Sequence, residues 1–293
     1  MSNLSWKRKI TVGDFINYAI LLIISSVCIL PFLYILSISL TDPNVYKPFT
    51  LYFIPQKFSL AVYSYMLSTS FFMNGLKNTL FITFFGTCLN LLFTFTAAYT
   101  LTSRRDYPGK KVFLAFIVFT LIFNAGIIPN YILVKSLGLI NSLWALIIPG
   151  LTNAWSLIVV KSFIESLPLE MEESARIDGC NELQSFVSII VPLSLASIAA
   201  FTLFFAVGHW NSYFNAYIYL TNSAKWTLQL IVRTLIMDSG SDNIGVGIKE
   251  DIVMPQETLK MATVILAMLP ILVVYPFLQK YFVKGVMIGA IKG

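Results

Sequence analysis

Charged residues are scarce in this chain of 293 residues. They make up 12% of the sequence, against roughly 25% in an ordinary globular domain. Hydrophobic residues make up 57%, and the mean hydropathy is +0.78. A single soluble core could not bury that much apolar surface, whereas a lipid bilayer covers it. The composition excludes an ordinary soluble domain and predicts an integral, all-helical membrane protein.

Residues that carry chemistry are also few. The three cysteines, Cys28, Cys88 and Cys180, are isolated in the sequence and form no metal-binding or disulfide pattern. His209 is the single histidine, and we expect it to be packed or to face a cavity rather than to relay protons. The patterns HExxH and G-x-S-x-G are missing, which argues against a membrane-embedded enzyme. The sequence also lacks G-x-x-x-x-G-K-S/T, so we expect this chain to bind no ATP, metal or other cofactor itself.

Acidic residues are missing where the chain is most apolar. None occurs between Asp106 and Glu165, and the cores of the other apolar segments lack them too. Carriers that are driven by protons or sodium usually hold ionisable groups inside the membrane. An ion-coupled secondary carrier is therefore disfavoured, and it stays an alternative together with a membrane scaffold protein.

Long apolar segments dominate what is present. A membrane-spanning helix needs about 20 apolar residues. The sequence predicts six such spans, at about residues 15–40, 76–102, 112–134, 142–164, 186–219 and 260–279. The first is too long for the apolar part of a signal peptide, so we expect it to remain as a span. The fifth is overlong with a polar second half, and it is predicted to run past the bilayer or to bend within it.

The basic residues predict the orientation of these spans. They cluster in three places: Lys7, Arg8 and Lys9; Arg104, Arg105, Lys110 and Lys111; Lys280, Lys284 and Lys292. Short loops rich in lysine and arginine stay in the cytoplasm, and six spans place all three clusters on one side. We therefore expect cytoplasmic ends at residues 1–14 and 285–293, a membrane domain at 15–284, and extracytoplasmic segments at about 41–75 and 220–259. Topology accounts for the net charge of +6, so no nucleic-acid partner is expected.

A polar loop at about residues 165–192 interrupts the apolar pattern between the fourth and fifth spans. Ser166 is predicted to cap a helix that Pro168 enters in its first turn. Glutamates follow in the early turns, where the helix dipole favours anions. Glu172 and Arg176 are four residues apart, in the favourable order for a helical ion pair. The loop is thus predicted to contain a short acidic helix on the cytoplasmic side.

The end of this helix is also marked in the sequence. Gly179 is predicted to end it in the left-handed conformation. Asn181 and Gln184 have the spacing of a capping box that starts a second helix. That helix runs into the fifth span, where Pro192 predicts a kink.

The same loop resembles the EAA loop of ABC importer permeases. That motif is Glu-Ala-Ala, three residues, Gly, nine residues, then Ile-x-Leu-Pro. The matching residues here are Glu173, Ser174, Ala175, Gly179, Ile189, Val191 and Pro192. Serine replaces the middle alanine and valine replaces the leucine.

Two further segments extend the resemblance over nearly the whole chain. Residues 281–293 are similar to the tail of MalG-type carbohydrate permeases. Residues 127–146 are similar to the LplC/YtcP-like branch of that family, which is associated with complex and in part acidic oligosaccharides. The resemblance implies the MetI-like, type I permease fold, with six transmembrane helices and a cytoplasmic coupling helix at about Leu169 to Asp178.

The resemblance also implies a function and a set of partners. The chain would be a non-catalytic permease subunit of a binding-protein-dependent oligosaccharide importer in the bacterial cell membrane. It would pair with a second, different permease and two ATPase subunits that hold ATP and magnesium, and an extracytoplasmic solute-binding protein would deliver the substrate. The predicted ATPase-docking residues are Glu172, Glu173, Ser174, Ala175, Arg176, Asp178, Gly179 and Pro192. Ser174 and Ala175 are small enough for close approach, and Glu173 and Asp178 could pair with basic residues of the ATPase.

The substrate pathway is predicted from aromatic and amide side chains, because sugars stack on aromatic faces and form hydrogen bonds. The candidates are Trp210, Asn211, Tyr213 and Asn215, followed by Asn124, Asn130, Tyr131, Asn153 and Trp155. The alternative is that the aromatic residues form the interfacial belt and that the asparagines bond across helices.

Overall fold

A computed structural model describes residues 11–48, 50–102, 108–237 and 255–290. The helices are α1 (Val12–Ser39), α2 (Ala61–Ser68), α3 (Ser70–Thr102), α4 (Lys110–Ile122), α5 (Ile127–Ser136), α6 (Ala154–Glu165), α7 (Leu169–Ile177), α8 (Glu182–Ser185), α9 (Val191–Leu193), α10 (Leu195–Trp210), α11 (Phe214–Tyr219), α12 (Leu228–Met237) and α13 (Gln256–Ala290). A π-helical turn, Phe186–Ile190, joins α8 to α9. The predictions for residues 1–10, 103–107, 238–254 and 291–293 lie outside the described residues.

The chain divides into two compact units. The first comprises residues 1–68 and 249–266. In it, α1 begins with a capping box in which the Thr11 backbone N–H donates to Asp14 Oδ2 at 2.9 Å. The most apolar stretch of α1 buries none of its residues within the chain, as suits a helix surrounded by lipid. After α1, an ion pair of 2.7 Å between Lys57 Nζ and Asp42 Oδ2 holds the loop that leads to α2.

The second unit, residues 69–248 and 267–293, is organised around α3. The buried residues of α3 recur every three or four positions, as in Phe72, Gly75, Thr79, Ile82 and Gly86. This spacing places them on one helical face. α6 and α10 pack against that helix. The first of two clusters of buried side chains joins α3 to α5, α11 and α12, and the second fills the space between α3, α6 and α10. The first cluster includes Ile82, Val134, Leu146, Ile147 and Tyr219, and the second includes Phe95, Val160, Ile190, Phe201 and Phe205.

Three of the predicted spans are single long helices. Among the described residues, Val12–Ser39, Ser70–Thr102 and Gln256–Pro276 are each long and apolar enough to cross a membrane. They correspond to the predicted first, second and sixth spans, although the second helix begins six residues earlier than predicted. Two bent helix pairs would raise the number of spans to five at most.

The fifth predicted span is one of these bent pairs. Its two parts, Glu182–Leu193 and Leu195–Trp210, meet at an angle of 81°. Pro192 lies two residues before the break at Ser194 and cannot donate a backbone hydrogen bond to the preceding turn. The predicted bend is confirmed, and the assignment of the kink to Pro192 stays a prediction.

The third and fourth predicted spans are interrupted rather than continuous helices. The third splits into α4 and α5, because Gly126 has a φ of +87° and its N–H donates to Asn124 Oδ1 at 2.9 Å. The fourth consists of Leu143–Gly150 and Ala154–Glu165, bent by 50°. Asn153 restarts the helix there, since its Oδ1 accepts the backbone N–H of Ser156 at 2.8 Å. Such caps do not show in a hydropathy average, because the average adds up the polarity of side chains and contains no information on backbone hydrogen bonds.

Candidate functional site

The polar loop folds as the predicted short helix, sharp turn and second helix. Its helix α7 runs over Leu169–Ile177, with Pro168 at the N-cap position. The predicted cap by Ser166 is wrong. Ser166 has helical backbone angles, and its hydroxyl donates to the carbonyl of Phe163 at 2.7 Å, so it closes α6 instead.

The turn after α7 is a Schellman motif. Gly179 has a φ of +85°, which confirms the predicted left-handed conformation. Its N–H donates to the carbonyl of Arg176 at 3.1 Å, and the N–H of Cys180 donates to the carbonyl of Ala175 at 2.9 Å. These are the two hydrogen bonds of the motif. The turn therefore satisfies the end of α7 and fixes the direction in which the chain leaves it.

The second helix starts at the predicted capping box. Gln184 N–H donates to Asn181 Oδ1, and Asn181 N–H donates to Gln184 Oε1, each at 2.9 Å. Both interactions are local, so two consecutive caps hold α7 and α8 in a defined arrangement. This part of the prediction is confirmed.

A charged network ties α7 to its neighbours. Arg176 Nη2 lies 2.9 Å from Glu172 Oε1, as predicted, and 3.4 Å from Glu182 Oε1 on α8. Tyr99 on α3 donates its hydroxyl to Glu182 Oε2 at 3.0 Å. The contacts of Glu182 could not be predicted from spacing, because Tyr99 and Glu182 are 83 positions apart. The network joins α7, α8 and α3. We call its three residues, Arg176, Glu182 and Tyr99, the α7–α3 link.

The outer face of α7 is acidic and open. Glu173, Ser174, Asp178 and Gly179 are exposed, and the Ser174 hydroxyl donates to the carbonyl of Glu170 at 2.7 Å. Ala175 differs from the other predicted docking residues, because it is only 5% exposed. Its small side chain serves the packing of α7 on this chain rather than an open surface.

The densest predicted cluster of substrate-pathway residues lies at the end of α10 and divides into two kinds. Trp210 is 4% exposed, and its indole N–H donates to the carbonyl of Ala267 at 3.1 Å, so it is a packing residue. Asn211 and Asn215 are exposed. Tyr213 is 40% exposed and contacts a cation, Arg233, that the sequence analysis did not select.

The remaining candidates lie elsewhere in the second unit. Asn124 and Asn153 use their side-chain oxygens to accept local backbone N–H groups. The ring of Tyr131 stacks on that of Tyr219 with centroids 6.3 Å apart. Trp155 is 53% exposed and contacts aromatic rings of α10. Asn130 is exposed on α5.

Asn90 forms hydrogen bonds across helices, and it was not among the predicted asparagines. Asn90 of α3 donates through Nδ2 to the carbonyl of Gly150 at 2.7 Å. Its Oδ1 accepts from Nε2 of His209 on α10 at 2.9 Å. His209 is thus packed between helices, and Gly86 lets it approach α3, since a Cβ at Gly86 would lie 2.5 Å from His209 Nε2.

Comparisons with known proteins agree with this architecture. Residues 80–288 match the family model described as "Binding-protein-dependent transport system inner membrane component". The chain is 42% identical over 282 residues to Protein LplC of Bacillus subtilis (strain 168), with 96% of this chain and 95% of that protein covered. It is also 42% identical over 287 residues to the polygalacturonan/rhamnogalacturonan transport system permease protein YtcP of the same organism, with 96% and 98% covered.

A solved structure shows the same fold. One chain of a bacterial ABC transporter involved in the import of the acidic polysaccharide alginate superposes with a TM-score of 0.85 at 30% identity. The match covers 94% of this chain and 99% of that one.

Proposed function

Because the chain belongs to the family of binding-protein-dependent transport system inner membrane components, we propose that it moves oligosaccharides, including acidic polysaccharide fragments, across the cell membrane. It is a permease subunit of an ABC importer for sugars. Membership of this family removes the reasons for considering an ion-coupled carrier or a scaffold protein. In this proposal the chain hydrolyses no ATP, and partner ATPase subunits hold ATP and magnesium.

The observation that carries the proposal is the fixed, acidic outer face of α7. Two consecutive caps and the contact of Arg176 with Glu182 on α8 hold α7 in one orientation. Its exposed side chains, Glu173, Ser174 and Asp178, lie where a partner surface could reach them. A basic groove on an ATPase subunit would complement this face, because opposite charges guide docking and fix the register.

The α7–α3 link supports a role in transmitting motion. Through Arg176, Glu182 and Tyr99, any displacement of α7 also acts on α8 and α3. α8 continues into the bent fifth span. Closure of the ATPases around ATP would therefore move the span and open the pathway to alternate sides of the membrane.

The proposal includes the topology and the other partners. Residues 1–14 and 285–293 are cytoplasmic, and about 41–75 and 220–259 face the outside, where a binding protein delivers substrate. A second, different permease completes the pathway. The distribution of lysine and arginine in the sequence supports this orientation.

The first experiment is an affinity purification of the tagged chain from its native membrane in mild detergent. We expect to recover a second permease and an ATPase, identified by mass spectrometry. Glu173→Arg should lower the yield of the ATPase by about tenfold, because it places a cation against a basic groove. Glu173→Gln removes only the charge and should have a smaller effect.

The amount of the second permease serves as the control, since neither variant touches the membrane part. If the ATPase is never recovered with the wild-type chain, the proposed function is wrong. If both Glu173 variants retain full ATPase yield, α7 does not dock through its acidic face.

A further inference from the structure

One arginine of the second unit lies between two tyrosine rings instead of beside a carboxylate. The guanidinium carbon of Arg233 on α12 is 5.2 Å from the ring centroid of Tyr213 and 5.6 Å from that of Tyr217. Tyr213 is the N-cap residue of α11, and Tyr217 follows one turn later, with its backbone N–H donating to the carbonyl of Tyr213 at 2.8 Å. They are 40% and 63% exposed. We call Arg233, Tyr213 and Tyr217 the arginine–tyrosine patch.

The contacts of Arg233 leave its charge available. Cation–π contacts hold a guanidinium over the ring faces, while its N–H groups remain a planar fork for a carboxylate. No carboxylate of the described residues pairs with Arg233. By contrast, Arg176 is paired with two glutamates, and the Lys225 ammonium donates to the carbonyl of Asn141 at 2.7 Å.

Amide groups extend the patch along α12. Gln229 lies one turn before Arg233, and its Nε2 donates to Oδ1 of Asn211 at 3.3 Å. This bond uses one polar atom of each amide, and both side chains reach the surface. The patch therefore combines a fixed cation, two exposed aromatic faces and adjacent hydrogen-bonding groups.

We propose that the arginine–tyrosine patch binds the carboxylate of an acidic saccharide, such as a uronic acid unit. The guanidinium of Arg233 receives the carboxylate in bidentate geometry, and a tyrosine face covers the apolar side of the sugar ring. An acidic side chain of a protein would match the cation but would leave the exposed rings uncovered, so the saccharide fits the whole patch better. The inference deepens the proposed function, because it assigns selectivity for acidic substrates to named residues of this subunit.

A labelling experiment tests binding without requiring transport. The full chain in nanodiscs is treated with phenylglyoxal, which modifies accessible arginines, and the modification of Arg233 is measured by mass spectrometry. Trigalacturonate should slow the modification of Arg233 at least about threefold, whereas the trisaccharide with its carboxyl groups reduced to alcohols should not. Arg176 is the internal control, and its modification should not respond to either saccharide.

A transport experiment tests selectivity. The transporter, co-purified with its partners, is reconstituted in liposomes, and uptake of the acidic and the reduced trisaccharide is compared. Arg233→Gln should lower the ratio of acidic to neutral uptake by about tenfold, the lower end of the effect of a hydrogen bond to a charged group. Lys225→Gln removes an equal charge that lies eight residues earlier in the sequence and should leave the ratio unchanged.

The outcomes separate this inference from the proposed function. Equal protection of Arg233 by both saccharides, no protection, or an unchanged uptake ratio in Arg233→Gln would overturn the carboxylate site. If Arg233→Gln abolishes the stimulation of uptake by the binding protein but leaves the ratio of acidic to neutral uptake unchanged, Arg233 docks a protein instead of a saccharide. Protection by trigalacturonate without any ATP-dependent uptake by the wild type would support the site and contradict the proposed function.

Discussion

Replacing Gly179 by alanine would test whether the turn after α7 positions the docking helix. Gly179 has a φ of +85°, and a Cβ there would meet nothing within 4 Å. The substitution therefore changes the backbone preference without creating a steric clash. The left-handed conformation costs a residue other than glycine about 1–2 kcal/mol. That cost corresponds to a factor of about 5–30 in the population of the correct turn.

The expected result is a weaker complex with the ATPase. We expect the affinity of purified ATPase for the chain in nanodiscs to fall by up to this factor, with the amount of inserted chain unchanged. Gly179→Asn should lower this affinity less than Gly179→Ala does, because asparagine tolerates the left-handed conformation better than alanine. The order wild type, asparagine, alanine is therefore the specific expectation.

Gly208→Ala is the matched control. Gly208 lies inside α10, and a Cβ there also meets nothing within 4 Å. Because alanine favours a helix interior by about 1 kcal/mol over glycine, this variant should bind the ATPase at least as well as the wild type. Equal affinities for Gly179→Ala, Gly179→Asn and the wild type would refute the idea that the left-handed turn orients α7.

Three further predictions concern the second unit. Tyr99→Phe removes the hydroxyl that donates to Glu182 and should lower substrate-stimulated ATP hydrolysis in the reconstituted complex several-fold; normal stimulation would mean that the α7–α3 link is not needed for coupling. Gly86→Ala places a Cβ 2.5 Å from His209 Nε2 and should reduce thermal stability in detergent, and adding His209→Ala should restore part of the loss; if the double variant is as unstable as the sum of both changes, the clash is not the cause. Asn90→Leu leaves the carbonyl of Gly150 and the half-buried imidazole of His209 without their partner and should cost about 1–3 kcal/mol, seen as a lower melting temperature in the same assay; an unchanged melting temperature would contradict it.

Local signals in the sequence were sufficient for most of the polar loop. The ion pair of Glu172 with Arg176, the conformation of Gly179 and the capping box of Asn181 each depend on residues within four positions. Such interactions can be predicted from spacing alone. Ser166 was the exception, because its position suits both the C-cap of α6 and the N-cap of α7, and the structure uses it for α6.

Contacts between distant segments could not be predicted in this way. The Tyr99–Glu182 and Asn90–His209 hydrogen bonds join residues 83 and 119 positions apart. The contacts of Arg233 could not be predicted from charge patterns either, because its partners are tyrosines. Among the predicted substrate residues, Tyr213 belongs to the arginine–tyrosine patch and Asn211 adjoins it through Gln229. Trp210 instead packs inside the second unit.

The bend of 81° at Ser194 divides the fifth span into two nearly perpendicular helical arms. Its short arm, Glu182–Leu193, is roughly 18 Å long at about 1.5 Å per residue. Rotation of this arm by about 10° would displace its free end by about 3 Å, calculated from the same length. Because the arm is nearly perpendicular to Leu195–Trp210, a push at its free end in the direction perpendicular to both helices acts on Leu195–Trp210 as a torque about its long axis. Side chains around α10, His209 among them, would then change the face they present to the interior, although α10 itself would hardly change its depth in the membrane.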